Sequence, residues 1–132
     1  MSTHAATTFA AKSWDEKPYD EFDEGRKLTR ASVTYTYTGD LEGEGKAEYL
    51  MVYNVDGSGS AIALERVVGK IGGRSGSFVI QHNGTFKVSG VKNRWFVVPG
   101  SGTDDLQGLT GGGEFEISGQ GPYPITFDYD FE

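Results

Sequence analysis

Cysteine is absent from the 132 residues. Disulfides, thiolate metal sites and a cysteine nucleophile are excluded with it. Basic residues are outnumbered, 12 against 19 acidic, for a formal net charge of −7. A chain of that sign lacks the electrostatic footprint for phosphate backbones or anionic membranes, so neither nucleic acid nor a membrane is an expected partner. No window approaches the roughly 18 consecutive apolar residues of a spanning helix. The segment Met1–Phe9 has neither the basic nor the apolar region of a signal peptide. A soluble cytoplasmic protein is the expectation. Histidine occurs twice, at His4 and His82, without paired spacing, so no zinc site is expected. His4 falls in a stretch expected to be disordered. No apolar stripe of helical period and length is present.

Glycine and aromatic residues are abundant instead. There are 20 glycines, about double the usual share, and aromatics make up 13% of the chain. Both point to strands and turns. The length fits one domain, residues 1–132, which can bury roughly two thirds of its unfolded surface without a staple.

Period-2 alternation recurs from residue 28 onward. Ala31, Val33, Tyr35 and Tyr37 alternate with Arg30, Ser32, Thr34 and Thr36, and Gly39-Asp40 supplies a turn. Ala47, Tyr49, Met51, Tyr53 and Val55 mark the next strand, closed by Asp56-Gly57. A strand over residues 60–71 ends at Gly72-Gly73. Another over 74–82 ends at Asn83-Gly84, the strongest short hairpin signal in the chain. The strand after it, about 85–98, carries a bulge or bend at Gly90 and is broken by Pro99-Gly100. A glycine-rich loop over 99–113 precedes two strands, around Phe115–Ile117 and Ile125–Phe131. With a weakly alternating first strand over 7–14, eight strands result. Sequential hairpins make them antiparallel neighbours. The expected fold is all-β, a single closed eight-stranded antiparallel barrel, with a sandwich as the alternative.

Residues 15–25 break the pattern. They hold six of the 19 acids and are expected to be irregular, with Trp14, Tyr19 and Phe22 pinning them across a barrel mouth.

Several residues are candidates for chemistry. Glu65-Arg66 interrupts an apolar strand whose two faces, Ala61/Ala63/Glu65/Val67 and Ile62/Leu64/Arg66/Val68, are both expected to be buried. One face is the lumen and the other a subunit interface or a covered surface. A desolvated Glu65 is the candidate general acid or base, and a structural ion pair is the plain reading. His82 shares a face with Phe78, Ile80 and Arg74. With Arg74 it suits an anionic head group at a barrel mouth; capping a hairpin in solvent is the plain reading. Tyr35, Tyr49 and Trp95 are candidate ligand contacts on apolar faces, or else ordinary core. The loop over 99–113 has glycines at phosphate-loop density but no Gly-Lys-Ser/Thr ending and no following helix, so no nucleotide cradle or other cofactor is expected.

The loop motif Val97-Val98-Pro99-Gly100-Ser101-Gly102-Thr103, with Gly108-Leu109 and Gly111, resembles the Gly-Thr-Gly loop of allene oxide cyclase and dirigent barrels, with Asp104 where those families place glycine. A resemblance over nearly the whole chain rests on Ser13-Trp14-Asp15-Glu16, Leu28–Val33, Gly39–Gly43, Glu48–Met51, Leu64-Glu65-Arg66, Gly72–Phe78 and Asp128–Phe131. These are similar to bacterial domain-of-unknown-function family 3224, an allene-oxide-cyclase-like barrel. The resemblance implies an eight-stranded barrel and a small homo-oligomer, a dimer or trimer. It implies no established activity. Allene oxide cyclases steer ring closure with a lumen glutamate, and no motif aligns Glu65 with it.

Three functions follow. The first is a binding module whose lumen takes a small apolar or amphipathic molecule. The second is a cyclase- or isomerase-type enzyme with Glu65 as acid/base and Arg66 or Arg74 orienting substrate. The third is a packed barrel acting through surface contacts. The direction in which Glu65, Arg74 and His82 point separates them.

Overall fold

The computed structural model describes residues 3–118 and 121–132. Eight strands follow in order: β1 (Thr3–Glu21), β2 (Lys27–Gly39), β3 (Leu41–Tyr53), β4 (Gly59–Ile71), β5 (Arg74–Lys87), β6 (Gly90–Val97), β7 (Leu109–Ile117) and β8 (Tyr123–Phe131). Each pairs antiparallel with its neighbour in sequence, and β8 returns to β1, closing a barrel. Among the described residues no helix is long and apolar enough to cross a membrane.

Alternation decides which side chains enter the barrel. On β2, Thr29, Ala31, Val33, Tyr35 and Tyr37 are buried while Arg30, Ser32 and Thr36 face out. On β4, Ala63, Glu65 and Val67 are buried. The opposite face of β4 is not covered within the chain: Ile62, Leu64 and Val68 are 55%, 56% and 50% exposed.

The two ends of the barrel differ. At one end the loop 98–108 folds inward as a plug. Thr103 N donates to Ser77 O at 2.8 Å, and Leu106 is seated in the core. Leu41, Ile71, Phe78, Leu109 and Phe127 share that core with at most 1% exposure, each contributing about 1.5–3 kcal/mol by burial. At the other end the wall is incomplete. β8 pairs with β1 only over Thr3–Phe9, and with β7 only over Leu109–Gly112. Beyond those points, among the described residues, β1 is paired with β2 alone and β7 with β6 alone, which leaves a flared mouth.

Several boundaries differ from the sequence reading. Asn83-Gly84 is not a turn. β5 runs through it to Lys87, with Gly84 paired to Ala61 on one side and Asn93 on the other. Glycine is needed there for close packing, since a Cβ would lie 2.8 Å from Lys92 O. The chain reverses at Val88-Ser89, and Gly90 opens β6 rather than bending a longer strand. The acidic stretch is not irregular as far as Glu21. β1 continues along β2 to the Glu21–Lys27 pair, absorbing shifts at Ala11/Ser13 and Pro18/Asp20. This half of β1 lies past the end of β8, so most of its side chains meet water and acids are no obstacle to a strand there. The glycine-rich loop ends at residue 108, because Gly111 and Gly112 pair with Tyr129 and Asp128. His4 is not loose: it lies in β1 with its imidazole on the Asp128 carboxylate.

Candidate functional site

Glu65 sits at the centre of β4, between Ala47 on β3 and Ile80 on β5, with no exposed surface. Its carboxylate occupies space left by a missing side chain: a Cβ on Gly45 would lie 1.9 Å from Oε2. Two donors hold it. The Tyr37 hydroxyl donates to Oε2 at 2.5 Å, and Nε2 of His82 is 2.7 Å from Oε1. Asn93 Nδ2 donates to His82 Nδ1 at 2.9 Å. An amide nitrogen only donates, so Nδ1 is an acceptor and the ring proton is on Nε2, directed at Glu65. The result is a neutral imidazole between an amide and a carboxylate.

Tyrosines surround this chain. The Tyr49 ring stacks on His82 at 6.1 Å, and its hydroxyl is 2.7 Å from that of Tyr35. Burial pushes the Tyr35 phenol up to about 12, with the Glu65 charge acting in the same direction. Burial first, then the Glu65 charge and hydrogen bond, hold Tyr37 well above the ordinary phenol value. Tyr49 is raised by burial and by its contact with Tyr35. All three are neutral hydroxyls at physiological pH.

Two spaces lie here, and Phe9, Tyr35, Tyr49 and Phe115 line both. An inner chamber of about 30 Å³ is lined by Tyr35, Tyr37, Glu65, His82, Trp95 and Phe115, among others. That is room for about one water. Beyond Tyr35 and Tyr49 the mouth opens into a recess of about 460 Å³, walled by Trp14, Met51, Phe86, Ile117 and Tyr123. Its volume falls in the range of small-molecule sites, and its walls are largely apolar. Of the three aromatics expected across the mouth, Trp14 lines the recess, 5.8 Å from Tyr49, whereas Tyr19 and Phe22 do not line it. Trp95 Nε1 is buried without a hydrogen-bond partner.

A second carboxylate braces the rim. Glu16 accepts from Trp14 Nε1 at 2.9 Å, from Thr29 Oγ1 at 2.8 Å and from the Tyr53 hydroxyl. Burial opposes its ionisation, but those bonds and nearby Lys27 together hold it below the usual carboxylate value.

Of the candidate residues, Glu65, His82, Tyr35, Tyr49 and Trp95 converge on the chamber. Arg66 and Arg74 do not. Arg66 is on the outer face, bonded to Ser77 Oγ at 3.2 Å, because it alternates with Glu65. Arg74 is exposed at the plugged end, its guanidinium 4.1 Å from the centre of the Phe131 ring. It shares parity with His82, but eight residues of strand separate them by about 26 Å. His82 is buried, not a solvent cap, since Asn83-Gly84 does not turn. Tyr37 is one of the aromatics that the alternation puts on an apolar face, and Asn93 is not among the candidates. Asn93 had a signal: it is the polar member of an otherwise apolar alternation, Val91, Trp95 and Val97.

The description "Protein of unknown function (DUF3224)" matches residues 5–129. The chain belongs to the DUF3224 family. A member of that family from Shewanella oneidensis MR-1, also of unknown function and solved at 1.84 Å resolution, is 32% identical with a TM-score of 0.80. The similarity covers 100% of this chain and 98% of the other. No curated protein matches. Family membership therefore carries the barrel and leaves its chemistry to the residues themselves.

Proposed function

We propose that the barrel binds a small, largely apolar or amphipathic molecule at its flared end, the apolar body in the aromatic recess and a polar end toward the Tyr35–Tyr49 hydroxyls. The recess of about 460 Å³ ending on buried polar groups carries this reading. The acid-binding version loses its cation, because Arg74 is at the opposite end. Native mass spectrometry of freshly purified protein, with extraction of what co-purifies, tests it. A stoichiometric small molecule, or a raised melting temperature with an apolar ligand in excess, is the expected result. An unliganded mass together with no thermal shift from any ligand class defeats it.

A second reading is favoured by Glu65 itself. A fully buried carboxylate bonded to His82 and facing a chamber suits a cyclase or isomerase that moves one proton. The resemblance to allene-oxide-cyclase-like barrels extends to the barrel, and no motif aligns Glu65 with their lumen glutamate. Turnover that survives Glu65→Gln unchanged would remove Glu65 from that role. The absence of cysteine supports a cytoplasmic setting. The half-exposed outer face of β4 supports a homo-oligomer.

A further inference from the structure

Glu65 is a fully buried carboxylate with no lysine or arginine beside it. Both of its donors are neutral: the Tyr37 hydroxyl, and a His82 ring whose Nδ1 is filled by the Asn93 amide. No lysine or arginine among the described residues forms an ion pair with it. Buried charges are ordinarily balanced by a partner or a bound ion. The surrounding rings of Tyr35, Tyr49 and Phe115 add to the negative character, since aromatic faces attract cations. The one cation lining the recess is Lys87, exposed at its rim.

The chamber also sets a size. About 30 Å³ admits a group the size of a water molecule. A primary ammonium is of that size, and a trimethylammonium is larger. Its three N–H donors match three acceptors in the chamber wall: a free lone pair of Glu65 and the oxygens of Tyr35 and Tyr49.

We propose that the chamber seats the ammonium head of a primary amine whose apolar, preferably aromatic, body fills the recess. This rests on the binding reading above and fixes the head group that it leaves open. Trp95 Nε1 is the one nearby group that would prefer an acceptor. An unpaired neutral N–H weighs less than an unbalanced buried carboxylate, so the charge decides.

The test uses one body with three heads: 2-phenylethylamine, 2-phenylethanol and phenylacetate, titrated into the intact chain by tryptophan fluorescence. The chain has 2 tryptophans, Trp14 in the recess and Trp95 in the chamber, so both report on the site. The amine is expected to bind at least about tenfold more tightly than the alcohol, a difference of about 1.4 kcal/mol, with phenylacetate weakest. The trimethylated amine is expected to lose that advantage, and Glu65→Gln to bring the amine down to the alcohol. If the alcohol or phenylacetate binds as well as the amine, or trimethylation changes nothing, the ammonium seat is wrong while the binding reading stands. If none of the four binds, the ammonium seat is wrong, and the binding reading is decided by the native mass and thermal shifts described above. Should Glu65→Gln fail to fold, the four ligands on the unaltered chain still decide.

Discussion

Asn93 Nδ2 on β6 lies 2.9 Å from His82 Nδ1 on β5, and this contact determines which nitrogen of the imidazole carries the proton. The amide donates, Nδ1 accepts, and Nε2–H is left for Glu65. Asn93 thus acts on Glu65 without touching it. Replacing the amide with a carboxylate of the same shape reverses the demand. In Asn93→Asp, Nδ1 is expected to carry a proton. Nitrogen-15 NMR of labelled histidine reads the change directly, as loss of the Nε2–H tautomer at neutral pH. An unaltered His82 signal would mean that Asn93 does not set the tautomer.

Gly45 makes room for Glu65. A methyl group at Gly45 would overlap Oε2, at 1.9 Å, so Gly45→Ala must displace the carboxylate from its two donors. Overpacking of this kind costs about 1–3 kcal/mol, or roughly 4–12 °C in melting temperature for a chain of this size. The double variant Gly45→Ala/Glu65→Ala is expected to be more stable than the sum of the two single losses, because the clash is gone. Additive losses in thermal or urea unfolding would refute the steric account.

Four of the 7 tyrosines are expected to ionise late. Burial raises Tyr35 and Tyr53 to about 12, and holds Tyr37 and Tyr49 well above the ordinary phenol value. A folded-state pKa above the unfolded one, about 10, gives stability that is complete below the unfolded value. It is lost as pH rises through the folded value. Phenolate absorbance should therefore show four phenols silent at pH 10 and appearing together with alkaline unfolding. Free titration of all 7 near pH 10 in a still-folded chain would contradict the burial.

Leu50 on β3 is paired with Ile62 on β4, and Leu64 follows Ile62 on the same face, leaving a half-exposed apolar group on the outer wall. Single exposed apolar residues are ordinary, but a contiguous group marks an interaction surface. We expect the chain to form a dimer or trimer, and Ile62→Lys with Leu64→Lys to give a monomer with the barrel intact. Light scattering after size exclusion measures both. A wild-type chain already monomeric at micromolar concentration would count against this face as a subunit contact.

The sequence was a good guide wherever one face of a strand is buried and the other is wet. Tyr35, Tyr37, Ala47 and Met51 fall inward as their alternation requires, and Gly39-Asp40 and Gly72-Gly73 turn as expected. It misled where a local signal has two physical uses. Asn83-Gly84 has turn chemistry, yet Gly84 serves strand packing and the reversal falls five residues later, at Val88-Ser89. Parity placed Arg74 with His82 because alternation records the face of a strand and not the distance along it. The Glu65–His82–Asn93 chain joins three strands, β4, β5 and β6, through a register that no local pattern encodes. Polar members of apolar alternations were the available sign. Glu65 was read that way and Asn93 was not.

The incomplete wall at the flared end has a dynamic consequence. Among the described residues β1 has no pairing with β8 from Ala10 onward, and β7 has none from Gly113 onward. Spreading these edges to admit a ligand therefore breaks no ladder bond between them, while at the plugged end the loop 98–108 bonds the part of β5 that β6 leaves unpaired. Amide hydrogen exchange should divide the same strand in two, slow over Thr3–Phe9 and fast on the unpaired edge beyond it. The barrel can breathe at the end that receives a guest and remain rigid at the end that holds the fold.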